Sequence, residues 1–289
     1  MAGWFLGMQN SKVTMWISIL TVIVNIAVSL TLTLALNLGI YGLALGTLSA
    51  QWIGFTASVI VCGLKYSPSF PRFITIFAGT NLLKFFRINT DIFLRTLCLV
   101  GVTLWFTRTG AMQGNEILAA NALLMQLFTL FSFFMDGFAF SAEAICGKYS
   151  GAGQHQALKQ ACRLLISTSA TLALIFTAGY ATLGTALLEI LCDDLSTLAA
   201  AREYEVWAIS IPLAGFMAFV CDGIFIGLTA TRSMLLSMLC ATAVYFTVYM
   251  LAWPTMHNHG LWLAFLCYLA VRGLLLALLL TKGSRGEVA

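Results

Sequence analysis

Eight runs of about twenty apolar residues divide this chain, at about 14–36, 42–64, 89–107, 118–142, 166–188, 205–229, 234–254 and 260–281. A helix rises 1.5 Å per residue, so roughly 20 residues cross the ~30 Å of hydrocarbon in a bilayer. Backbone in lipid must satisfy its own hydrogen bonds, and runs of this length do so as helices. Hydrophobic residues make up 60% of the chain and charged residues 9%, with a mean hydropathy of +0.94, a balance no soluble core of this size could bury. The first run starts about a dozen residues in, is too long for a signal-peptide core and has no small-residue cleavage site after it. The expected fold is therefore an all-α polytopic membrane protein with eight transmembrane helices.

Eight spans place both termini on one side. The loops of that side carry eleven basic residues, among them Lys12, Lys65, Arg87, Lys148, Lys159, Arg163, Arg232 and Lys282. The opposite loops carry only Arg108 and Arg202, beside Glu116, Glu189, Asp193, Asp194, Glu203 and Glu205. Basic loops stay in the cytoplasm, which puts both termini there. The basic residues are scattered over five loops without a run, so they do not form a nucleic-acid arm.

The clearest break is Lys65–Phe73, which holds Pro68 and Pro71 and has no apolar period. Phe73–Phe86 is apolar with a basic end, as suits a helix lying on the inner leaflet. The expected organisation is two helices over 1–64, a cytoplasmic linker with an interfacial helix over 65–86, and a complete six-helix bundle over 87–289.

An internal repeat supports that division. Gly3-Trp4-Phe5-Leu6-Gly7 with Ser11-Lys12 matches Gly223-Ile224-Phe225-Ile226-Gly227 with Thr231-Arg232, 220 positions later. Each copy opens a pair of apolar runs joined by a short glycine-containing loop. Duplicated helix bundles of this kind are common among secondary transporters.

Ionisable groups within spans are costly and rare. Here they are Asp91, Arg95, Asp136, Glu143, Asp222 and Arg272. By residue count, Arg95, Asp136, Asp222 and Arg272 sit at a similar depth in the cytoplasmic half, roughly 9 to 13 Å from their helix ends. Asp91 and Arg95 are four apart, hence on one face, and Asp91 follows Asn89-Thr90 as a helix-start anion would. A buried carboxylate either finds a cation or takes a proton. Three aspartates against two arginines leave one acid unbalanced, open to a proton or small cation; the same layer also reads as an ion-paired structural brace. Glu143, within a turn of the surface, reads as solvated. Asn25, Gln51, Asn121, Gln126, Tyr245 and Tyr249 are polar groups at depth, candidates for lining a substrate cavity or for interhelical hydrogen bonds.

Enzyme chemistry is not suggested: the chain carries no HExxH, GxSxG or Walker loop and no GxGxxG after a strand. The eight cysteines form no CxxC pair and lie mostly within or beside spans, as small packing residues do. His155, His257 and His259 fall in loops, and His257-x-His259 alone is a weak metal signal. No cofactor and no metal site are expected.

The stretch Arg87-Ile88-Asn89-Thr90-Asp91-Ile92-Phe93-Leu94-Arg95-Thr96-Leu97 resembles the start of the seventh helix in multidrug and toxic compound extrusion (MATE) transporters, in the DNA-damage-inducible-protein-F branch. Leu118-Ala119-Ala120-Asn121, Met135-Asp136-Gly137-Phe138 and Asp222-Gly223-Ile224-Phe225-Ile226-Gly227 are similar to further motifs of that family, and Gly7-Met8-Gln9-Asn10 to the one before its fifth helix. The resemblance implies twelve helices in two six-helix bundles. On that template the chain corresponds to helices five to twelve and lacks the first four, including a first-helix aspartate used for coupling. The implied function is export of amphipathic drugs or toxic organic compounds across the bacterial inner membrane in exchange for H⁺ or Na⁺. The implied partners are the bilayer and small amphipathic substrates, with the full-length protein a monomer. A non-transporting remnant or scaffold is the alternative. A lipid-linked flippase would want a strongly cationic cavity, whereas only Arg95 and Arg272 are buried in spans.

Overall fold

The computed structural model describes residues 1–35, 37–66 and 80–282. These are helical almost throughout, and the chain divides into two compact units, Met1–Gly79 and Thr80–Ala289. Eight helices among the described residues are long and apolar enough to cross a membrane. Six contain an expected span whole, Leu195–Gly227 ends two residues short of the expected 229, and the first span's last residue, 36, lies outside the described residues. Most run further, because hydropathy marks only the hydrocarbon stretch while helical hydrogen bonding continues through the interface, as in His155–Leu191 with its Lys159 and Arg163.

The first unit holds α1 (Ala2–Gly7), α2 (Ser11–Leu30), which widens into a π-helical turn over Thr31–Ala35, and α3 (Gly39–Tyr66). The buried residues of α3 are Gly42, Gly46, Ala50, Gly54, Ser58 and Cys62, every fourth position and every one small. That stripe lets the backbones of α2 and α3 close on one another, as small residues do in lipid. A Cβ on Gly46 would collide with the Ser29 hydroxyl and lie 2.8 Å from Ser29 Cα.

The second unit is a bundle of α4 (Thr80–Met112), α5 (Asn115–Gly151), α6 (His155–Leu191), α7 (Leu195–Gly227), α8 (Thr231–Met256) and α9 (Asn258–Lys282). Helix α7 is the central post, packed against α5, α6 and α9 and buried over 56% of its most apolar window, more than any other span. It runs unbroken through Pro212. The segment 80–86, expected within an interfacial helix of the linker, forms the first turns of α4. The rest of that stretch, 67–79, lies outside the described residues.

The repeat has a structural counterpart. At Gly7–Ser11 and Gly227–Thr231 one helix ends and the next begins, with Gln9 at φ 60° and Thr229 at φ 55°. The hydrogen bonds match one for one: Asn10 N–H donates to Phe5 O at 2.9 Å, and Ala230 N–H to Phe225 O at 3.0 Å. This is the six-to-one bond of a Schellman turn, usually built on glycine. The α5–α6 turn repeats it with Gly153 at φ 66° and Gln154 N–H donating to Tyr149 O at 2.9 Å.

Candidate functional site

Close helix crossings build the charge layer. A Cβ on Gly223 would collide with the Ala139 carbonyl and lie 2.7 Å from Ala139 Cα; one on Gly227 would lie 2.6 Å from Glu143 O and 3.0 Å from Gly147 N. Helices α5 and α7 therefore touch backbone to backbone beside Asp222. Gly273 does the same for α9, 2.8 Å from Ala218 N on α7. The residues just before Gly223 and Gly273, Asp222 and Arg272, carry their charges into the packed interior.

There Asp222 is 6% exposed, and its Oδ2 accepts from Arg95 of α4 and Arg272 of α9 together. Arg272 is itself 3% exposed, and its guanidinium carbon lies 5.9 Å from the Phe219 ring centroid. Three helices are thus clamped through one carboxylate oxygen. Asp222 Oδ1 has no hydrogen-bond partner among the described residues.

A cavity of about 160 Å³ opens against this clamp. Helix α5 lines it with Asp136, Ala139, Phe140 and Glu143, and α7 with Phe219, Asp222, Gly223 and Ile226; Arg95 comes from α4. Helices α5 and α7 each contribute positions i, i+3, i+4 and i+7, one continuous face. Asp136 is exposed and Glu143 half-buried, and neither forms an ion pair among the described residues.

The geometry redistributes the predicted charges. Arg95 crosses from α4 to Asp222 of α7. Asp91 lies well inside α4 rather than in its first turn, and accepts a hydrogen bond from Thr231 Oγ1 of α8 at 2.9 Å. Glu143, expected in solvent, faces the cavity with Asp136. Its seven-residue spacing from Asp136, two turns on one face, is the sequence signal for that placement.

The neutral candidates lie elsewhere. Asn121 is 3% exposed and knotted to α9: Trp262 Nε1 donates to its Oδ1 at 2.9 Å, and Asn258 exchanges amide bonds with it at 2.9 and 3.0 Å. Gln126 is exposed. Tyr245 is fully buried and stacks on Tyr249 at 6.4 Å between centroids. In the first unit Asn25 accepts from Ser29 Oγ at 2.9 Å and Gln51 is exposed. At the acidic end of the bundle Asp194 caps α7. Its Oδ2 accepts from Thr197 Oγ1 at 2.6 Å, Ser196 Oγ at 2.7 Å and Thr197 N–H at 3.0 Å, which hold the carboxyl down at about 2. His259 Nδ1 accepts from Trp207 Nε1 at 2.9 Å, so this histidine is engaged in a helix contact. Among the described residues no group of three histidine, cysteine or acidic side chains is placed to hold a metal.

The sequence matches the MatE family over residues 92–250, a stretch that includes Arg95, Asp136 and Asp222 of the charge layer. It is 31% identical over 277 residues to DNA damage-inducible protein F of Escherichia coli (strain K12), covering 95% of this chain and 60% of that protein. The chain thus spans about 60% of the length of this relative. Among solved structures, a variant of the Vibrio cholerae MATE transporter VcmN superposes with a TM-score of 0.86 at 17% identity, over 98% of this chain and 65% of that one. A MOP superfamily transporter from Pyrococcus furiosus gives 0.82 at 14% identity, over 96% of this chain and 63% of that one. At these identities the two structures speak for the fold.

Proposed function

The chain belongs to the MatE family, and from that premise we propose that it supplies eight helices of a cation-coupled antiporter. Its substrates are amphipathic, often cationic organic compounds, exported across the bacterial inner membrane in exchange for H⁺ or Na⁺. Both termini face the cytoplasm, and the charge layer of Asp91, Arg95, Asp136, Asp222 and Arg272 couples the two fluxes. One observation carries this reading: Asp136, an accessible carboxylate with no ion pair among the described residues, shares a cavity with the buried Arg95–Asp222–Arg272 clamp. A cation entering that cavity changes the charge beside a contact that ties α4, α7 and α9 together. Binding and helix arrangement are then linked, as exchange requires. The clamp also supports a second reading, a structural brace in a protein that does not transport.

Ethidium efflux from a pump-deficient bacterium separates the two. The chain is expressed alone and joined to whatever sequence is encoded upstream of it. Efflux that falls in Asp136→Asn and Asp222→Asn supports coupling. Full efflux in both variants, with only thermal stability lost, supports the brace. Absence of efflux from either form despite good membrane insertion removes the transport reading.

A further inference from the structure

The two carboxylates of α5 stand apart from the rest of the layer, and a coupling role for them rests on the coupled-transport reading. We propose that Glu143 and Asp136 form a two-step proton path along one face of α5. Asp136 holds a proton at depth and Glu143 exchanges protons with water at the basic end of the bundle, while Asp222 Oδ2 is committed to its two arginines.

Access divides the acids first. Asp222 is 6% exposed and its Oδ2 already meets two guanidiniums, whose positive charge opposes an arriving cation. Asp136 is exposed and Glu143 half-buried, with no ion pair to break among the described residues. Position divides them next. Glu143 lies roughly 12 Å from the end of α5 and Asp136 roughly 22 Å, at 1.5 Å per residue. Both line the same cavity of about 160 Å³, which has room for several waters. The roughly 10 Å between them along the axis would take about three waters to bridge at hydrogen-bond spacing of ~2.8 Å. Phe140 and Phe219 wall that space with rings, which keeps ions other than a relayed proton poorly solvated there.

The charged groups facing the path are Arg95 from α4 and Asp222 from α7, with Arg272 of α9 behind Asp222. A proton leaves the Asp136 carboxyl for the water chain, another leaves that chain for the Glu143 carboxylate, and Glu143 releases its proton to the basic-end solvent. Neutralising Asp136 removes a negative charge next to the clamp, which is how the path would reach the helices.

Dicyclohexylcarbodiimide, which adds to protonated carboxyls in apolar surroundings, tests this on the unaltered chain in lipid nanodiscs. Peptide mass spectrometry is expected to find adducts on Asp136 and Glu143, forming several-fold faster as the pH is lowered, with Asp222 unlabelled. Adducts on Asp222 with the two α5 acids untouched, or labelling indifferent to pH, would overturn the proposal. Infrared titration supplies a second readout. The double variant Asp136→Asn, Glu143→Gln should lose a pH-dependent carboxylic-acid band, and a folded double variant that keeps the whole band sinks the path. Neither readout needs transport. A chain that labels as expected but never exports dye retains the proton path and loses the coupled-transport reading.

Discussion

Asp222 serves two cations through one oxygen, so removing its charge does more than break an ion pair. Asp222→Asn leaves Arg95 and Arg272 facing each other in a packed interior, and an uncompensated buried charge costs about 3–5 kcal/mol. Adding Arg95→Gln removes one of the stranded charges and should recover a large part of that loss, a coupling a double-mutant cycle reads directly. Thermal or denaturant unfolding in detergent checks both. A single variant within ~0.5 kcal/mol of wild type would mean the clamp contributes nothing. Asn121 and Gln126 make the contrasting case for neutral groups. Both are polar residues of one helix at depth, yet Asn121 satisfies Asn258 and Trp262 while Gln126 is exposed. Asn121→Ala should cost about 1–3 kcal/mol by orphaning its buried partners, and Gln126→Ala nearly nothing. Equal effects in the same unfolding assay would remove the structural role of the Asn121 knot.

At the scale of whole helices, the same dipeptide does opposite work in two places. Asp136-Gly137 and Asp222-Gly223 look alike, but a Cβ at Gly137 meets nothing within 4 Å, whereas one at Gly223 runs into the backbone of Ala139. Backbone cannot rotate aside, so Gly223→Ala pushes α5 from α7 at the site where the clamp forms. It should cost about 1–3 kcal/mol, an overpacking penalty. Gly137→Ala should be neutral or gain up to ~1 kcal/mol of helix propensity. Melting curves of the two variants side by side decide it, and a tolerated Gly223→Ala would refute the close crossing. Helix α7 also has a pH-dependent beginning. The Asp194 carboxyl sits at about 2, below its unfolded value of about 3.9, so its cap stabilises α7 above the higher figure. That contribution fades as pH falls through the interval and is gone below about 2. Amide exchange at Thr197, whose N–H donates to Asp194 at 3.0 Å, should accelerate on acidification beyond the intrinsic rate. In Asp194→Ala it should be fast at every pH, and an unchanged Thr197 rate in that variant would rule the cap out.

Across the whole molecule, features that depend on neighbouring residues are legible in the sequence, and features that depend on helix rotation are not. Spans and the 220-residue repeat are local: each follows from hydropathy or from a few adjacent residues, and the two copies of the repeat flank the matching turns at Gln9 and Thr229. Which arginine meets which aspartate depends on rotation and neighbour choice, fixed by packing at Gly223 and Gly273 that no window of sequence contains. Glu143 reads as solvated when only its distance from the helix end is weighed, and as a cavity group once its face is. Charge asymmetry belongs to this largest scale. Lys148, Lys159, Arg163 and Arg232 gather at the end of the second unit where α5 and α7 finish, and Glu189, Asp193, Asp194, Glu203 and Glu205 at the end where α7 begins. Lysine and arginine resist translocation, so the basic end should lie in the cytoplasm. Reporter fusions test this without any assay of activity. Alkaline phosphatase joined after Asp193 should be active, since it needs the oxidising periplasm to form its disulfides. The same enzyme joined after Gly151 should be inactive, while a fluorescent protein there should glow. The reverse pattern would invert the bundle and open the proton path to the periplasm instead.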